Sequence, residues 1–148
     1  MLTFENFKFW KNGFPISYSG IVLDNDSREL LISKFITNNE KYKDWKITSD
    51  HMTICKNSLP THLKQYWLDE EVTLTVRSVG ESDQALAVKV TGFFVISRTV
   101  DKVDEGPKFQ HITLAVSPDG KPSMSNDITT WKKVDPIKLR GVIKQVTI

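Results

Sequence analysis

The chain has 148 residues, 39% hydrophobic and 26% charged, and its twenty basic and eighteen acidic residues leave a formal charge of +2. That length matches one domain able to bury a core without staples, and so weak a charge excludes gripping a long DNA duplex by phosphate neutralisation alone. The lone cysteine, Cys55, excludes an intrachain disulfide and a cysteine-based zinc site.

Taken in chain order, Met1–Phe14 is rich in aromatics (Phe4, Phe7, Phe9, Trp10, Phe14) and reads as an N-terminal arm or short helix, ended by Gly13 and Pro15. It lacks the apolar core of a signal peptide, and no apolar run approaches the roughly 20 residues that span a bilayer. Together with the reducing environment that a lone thiol suits, this makes the expected location cytoplasmic. Tyr18–Leu23 reads as a buried strand, and Asp24–Ser27 supplies capping chemistry for a helix over 27–39. Trp45–Lys56 alternates as a strand, Asn57–Pro60 turns, and Pro60 opens a short helix through Leu68. Glu71–Val79 and Ala85–Thr91 form a hairpin across the turn at Gly80–Asp83. Phe93–Val100 is apolar and ambiguous, Asp101–Pro107 is loop-like, and Lys108–Val116 alternates as a strand. After the turn at Ser117–Gly120, Ser125–Asp127 caps a helix through Lys133, Asp135–Pro136 breaks it, and Ile137–Ile148 is a last strand. The interspersed order with a central hairpin predicts a single α+β domain over 1–148 built on antiparallel sheets.

Two of the three histidines sit in the same setting, Asp50-His51-Met52-Thr53-Ile54 and Gln110-His111-Ile112-Thr113-Leu114. On a strand, residues i and i+2 share a face. His51 and Thr53 therefore project together, as do His111 and Thr113, while the apolar residues between them turn to the core. By the same parity Cys55 shares the His51 face, where it lacks a cationic neighbour and reads as inert, and Asp50 turns away from His51. Two imidazoles and two hydroxyls across one pocket suit phosphodiester cleavage without a metal or cofactor. One imidazole takes a proton from water or a ribose hydroxyl and the other gives one to the leaving oxygen. The hydroxyls donate to the phosphoryl oxygens where charge accumulates.

The paired His-x-Thr motifs, one in each half of a small α+β chain, resemble those of the 2H phosphoesterase superfamily. That group holds LigT-like proteins, tRNA-ligase cyclic phosphodiesterase domains, viral 2′-5′ oligoadenylate phosphodiesterases and phage anti-CBASS enzymes that degrade cyclic nucleotide messengers. The resemblance covers about residues 16–148, and Lys121–Asp127 is similar to a Lys-Pro…Ser-Asn stretch of the tRNA-ligase type. It implies a bilobal fold, with two antiparallel sheets flanked by helices around a central cleft. It also implies acid/base roles for His51 and His111, and phosphate contacts for Thr53 and Thr113. The implied substrate is an RNA 2′,3′-cyclic phosphate end or a cyclic or 2′-5′-linked oligonucleotide messenger; a viral or phage member would act in the host cytoplasm.

Three further residues are candidates for substrate binding. Tyr18 can stack on a base or pack at the rim, Lys56 can pair with a phosphate or stay solvated, and Phe109, on the His111 face, can line a base pocket or fill the core edge. Among Trp10, Trp45, Trp67 and Trp131, one can stack on a base while the others pack in the core. No P-loop, Rossmann glycine pattern or HExxH is present, and two histidines without a third ligand make a weak metal site. The alternative readings are a module that binds nucleotides or RNA ends without turnover, and a structural protein whose paired motif is coincidence.

Overall fold

In the computed structural model, which describes residues 10–11, 14–96, 98–100 and 102–147, the chain runs through ten strands, two α-helices and two 3₁₀ segments among those residues. These are β1 (Trp10–Lys11), β2 (Phe14–Leu23), α1 (Asn25–Phe35), a 3₁₀ turn (Glu40–Tyr42), β3 (Lys46–Ile47), β4 (His51–Lys56), α2 (Thr61–Trp67), β5 (Glu71–Glu81), β6 (Ala85–Thr91), β7 (Arg98–Val100), β8 (Val103–Glu105), β9 (His111–Val116), a 3₁₀ stretch (Pro122–Asp127) and β10 (Trp131–Thr147).

Alternation along the strands places apolar residues on one face, and the topology wraps that face inward. Among the described residues, β2, β10, β5, β6, β9 and β4 pair in this order, and β4 returns to β2, closing an antiparallel six-stranded barrel. Ile143, Ile21, Met52, Ile112 and Val88 are successive cross-strand partners around it, each at most 1% exposed. Burial of each such side chain contributes about 1.5–3 kcal/mol.

The expected bilobal pair of helix-flanked sheets does not form. The 17-residue β10 pairs with β2 along its C-terminal half and with β5 through most of its length. It thereby fuses what would have been two sheets. Strand β9 likewise bridges β6 and β4. Closure of the ring removes sheet edges. Within the described residues the α-helices have only 11 and 7 residues, and no helix is long and apolar enough to cross a membrane.

Local departures have local causes. The helix expected through Lys133 is a 3₁₀ stretch followed by strand, and β10 passes through Asp135–Pro136 without ending. Its register jumps from Lys133 opposite Ser78 to Ile137 opposite Val76, a bulge that absorbs a proline unable to donate to the ladder. The strand expected over 45–56 breaks between β3 and β4, where Ser49 adopts a left-handed φ of 55°. Helix α1 stops at Phe35, short of 39, after a start capped by Asp24, whose carboxylate accepts from Ser27 N at 2.8 Å. The loop expected at 101–107 contains β8, paired with β7, and the strand expected from Lys108 begins at His111. Of the N-terminal arm, residues 1–9 and 12–13 lie outside the described residues; Trp10–Lys11 pairs with Phe14–Pro15 as strand, not helix.

Candidate functional site

The barrel closes at β4 and β9, the two strands that carry the repeated motif. Met52 and Ile112 pair across this seam in antiparallel register, both fully buried. That register sets Thr53 opposite His111 and His51 opposite Thr113, because flanking positions of an antiparallel pair face each other and share a side. The core residues point into the barrel, so both motifs display their imidazole and hydroxyl on its outer wall.

Each imidazole is tied at Nδ1. His51 Nδ1 lies 2.8 Å from Asp50 Oδ1, and His111 Nδ1 lies 2.9 Å from the Phe109 carbonyl oxygen. A carboxylate and a carbonyl can only accept, so both rings carry their proton on Nδ1 when neutral. The nitrogen not held by these two partners is then Nε2. His51 Nε2 meets Thr53 Oγ1 at 3.1 Å. His111 is only 8% exposed. Among the described residues, Ser117 Oγ is the single buried side-chain polar atom without a partner; the unbonded Nε2 of His111 is therefore not sealed from solvent.

The contact between Asp50 and His51 corrects the parity reading that turned Asp50 away. Asp50 precedes β4 and follows Ser49, whose positive φ breaks the alternation. The kink is clamped onto β9: Thr48 N and Ser49 N donate to the Leu114 and Thr113 carbonyls at 2.9 and 3.0 Å, and Thr48 Oγ1 donates to Thr113 O at 2.8 Å. Arg28 of α1 donates to Thr48 O at 3.1 Å. The hydrogen bond from His51 holds the Asp50 carboxyl below the usual carboxylate range against partial burial, and the charges of His51 and Arg28 act in the same direction. Parity fails again at Cys55. The register jumps so that Ser19 faces Cys55 while Gly20 faces Thr53, leaving Ile54 as an extra residue. Cys55 is thus turned into the core, where it is fully buried.

Burial pushes the His111 imidazole below its ordinary range; the Phe109 carbonyl opposes this and a charge on His51 adds to it. Tyr18 stacks on His51, with ring centroids 4.3 Å apart and planes at 21°. Gly20, opposite Thr53, lets β2 approach: a Cβ there would stand 2.5 Å from the Met52 carbonyl oxygen. Burial, with the Asp50 charge adding, pushes the Tyr18 hydroxyl up to about 12. Lys56 is exposed at the end of β4, opposite Tyr18. Phe109 tilts over His111 at 4.8 Å and meets the edge of Trp131 at 5.6 Å. Thr113 Oγ1 lies 2.8 Å from the buried Ser125 Oγ and 3.4 Å from the Pro122 carbonyl. The stretch after the second motif thus folds back onto it. Trp45 packs edge-on against Tyr42, and Trp67 against Phe93 and Phe94.

Sequence reasoning set Asp50 aside, named Ser125 only as a helix cap and as part of the Lys121–Asp127 stretch, and did not single out Lys89. Lys89 is opposite His111 on β6, a strand whose other residues from Ala85 to Val90 are all buried. A half-buried lysine in so apolar a strand was the available signal. Two cavities, of about 750 and 360 Å³, are lined by other residues, including Asp24, Arg140 and Lys144 in one, and Tyr42 and Glu81 in the other.

No family model and no curated protein matches the sequence. Among solved structures the fold is similar to that described as the crystal structure of a fungal RNA kinase, with a TM-score of 0.51 and 14% identity over 95% of this chain. The chain covers 44% of that structure's length, less than half of it.

Proposed function

We propose that the chain is a phosphodiesterase of the 2H type that opens 2′,3′-cyclic phosphates at RNA ends by acid–base catalysis. The observation that carries this reading is the antiparallel register at Met52 and Ile112. It sets two imidazoles and two hydroxyls on one outer wall, with both Nδ1 atoms engaged and Nε2 of His51 on its motif partner Thr53. The description of the structural neighbour as an RNA kinase favours RNA as substrate over a cyclic messenger.

His111, whose charged form burial disfavours, is the base. Its Nε2 takes a proton from water as the water oxygen bonds to phosphorus. The P–O3′ bond breaks, and the departing oxygen takes a proton from Nε2 of an imidazolium at His51, leaving a 2′-phosphate and a 3′-hydroxyl. Asp50 supplies the counter-charge for that imidazolium and Tyr18 fixes its plane. Thr53 and Thr113 donate to the phosphoryl oxygens, where negative charge builds. Acid–base work of this kind is worth about 10²–10⁴-fold, the rest coming from positioning.

The test is turnover of nucleoside 2′,3′-cyclic phosphates in the presence of EDTA. Wild type should form 2′-phosphates, and His51→Ala and His111→Ala should each lose about 10²–10⁴-fold in kcat with binding changed little. Turnover that survives both substitutions refutes the proposal.

A further inference from the structure

Beyond His111, on the side away from His51, the outer wall carries a cation held by two aromatic rings. Lys89 of β6 is directly opposite His111. Its Nζ lies 4.5 Å from the centroid of the Trp131 ring and 5.2 Å from that of Phe109. Gly80 makes room for the indole, since a Cβ there would come within 2.5 Å of Trp131 Cε3, and Trp131 Nε1 is fixed to the Ile128 carbonyl at 3.1 Å. Two lysines elsewhere are paired with carboxylates, Lys41 with Glu81 at 2.7 Å and Lys144 with Asp69 at 2.5 Å. Among the described residues no carboxylate pairs with Lys89. Half-buried, it has given up water for π faces that stabilise a cation and leave its charge uncancelled.

Position decides what this charge can serve. Thr53, His111 and Lys89 form one cross-strand row over β4, β9 and β6. At about 4.8 Å per strand, the Lys89 backbone is roughly 10 Å from that of the first motif. On the catalytic reading the reacting phosphate lies between β4 and β9, whereas the Lys89 ammonium is held over the Trp131 and Phe109 rings. Between the two lies Phe109, whose ring contacts both His111 and the Lys89 ammonium.

Resting on the catalytic reading above, we propose that Lys89, Phe109 and Trp131 form a subsite for the nucleotide preceding the cyclic phosphate, and that the substrate is an oligonucleotide end, not a mononucleotide. The terminal base stacks on Phe109. The phosphate on its 5′ side pairs with Lys89, and the preceding base reaches Trp131, since any base offers a π face to an aromatic ring.

The experiment compares a 5′-phosphorylated dinucleotide bearing a 2′,3′-cyclic phosphate with the matching nucleoside 2′,3′-cyclic phosphate. Wild type should prefer the dinucleotide by about tenfold or more in kcat/KM. Lys89→Gln should lose about 5–20-fold on the dinucleotide, stay within twofold on the nucleoside, and flatten the salt dependence by roughly one phosphate contact. Lys89→Arg should retain the preference. No preference in wild type, or an equal loss on both substrates in Lys89→Gln, overturns the subsite. If wild type cleaves neither compound, the catalytic reading fails and the subsite is judged by the intrinsic tryptophan fluorescence on titrating the dinucleotide 3′-phosphate. Weaker binding by Lys89→Gln then supports it, and equal binding overturns it.

Discussion

Replacing Asp50 by Asn keeps an oxygen that can accept from His51 Nδ1, so the ring orientation survives and only the negative charge is lost. A hydrogen bond to a charged group contributes about 1.5–3 kcal/mol in a protected setting. The Asp50 side chain is 53% exposed, and solvent screening draws that figure toward the ~1 kcal/mol limit of surface pairs. Loss of about 1–1.5 kcal/mol from the imidazolium-bearing transition state corresponds to about 5–15-fold in kcat. Asp50→Ala removes orientation as well as charge and should cost more than Asp50→Asn, yet less than the about 10²–10⁴-fold expected when the acid itself is removed in His51→Ala. The assay is kcat against pH on a nucleoside 2′,3′-cyclic phosphate, with thermal melting to confirm folding. Asp50→Asn indistinguishable from wild type, or as damaged as His51→Ala while fully folded, would refute the reasoning.

Three further outcomes follow from the same geometry. The imidazole of His111 is pushed below its ordinary range mainly by burial, so the unfolded chain binds that proton more readily. Its contribution to stability is complete above about pH 6.5 and declines as pH falls through the lower folded value, and His111→Asn should flatten that part of a urea-unfolding pH series. Thr113→Val removes the hydroxyl beside Ser125 Oγ and should lower kcat by about 10²-fold if that hydroxyl stabilises the phosphoryl charge, with Thr113→Ser restoring most of it. Gly80→Ala collides with the Trp131 indole and should abolish the preference for a dinucleotide while sparing turnover of the nucleoside cyclic phosphate, measured as the ratio of kcat/KM values.

The shared face of each motif's imidazole and hydroxyl could be read from residues because strand parity is local. His-x-Thr puts two groups on one side wherever the strand is regular, and the buried Met52, Ile112 and Leu114 show the expected inward turn. Parity says nothing about which strands are neighbours. The closed barrel depends on β10 pairing with both β2 and β5, a long-range choice that no short window encodes. Asp135–Pro136 looked like a terminator because proline cannot complete a ladder, yet a bulge carried the strand past it. Asp50 was dismissed because the strand was assumed regular back to Trp45. Ser49, a non-glycine residue with positive φ, broke the alternation at that step. Lys89 was legible as an anomaly in an apolar strand, but its relation to His111 came only from the pairing of β6 with β9.

The two motif strands touch through one paired residue on each, Met52 and Ile112. Few ladder bonds hold the imidazoles at their separation; the interior plug beneath them and the Thr48–Ser49 staple to β9 do so instead. Trimming Met52 would therefore be felt twice over, lowering the melting temperature through the cavity it leaves and loosening the spacing of the two rings above it.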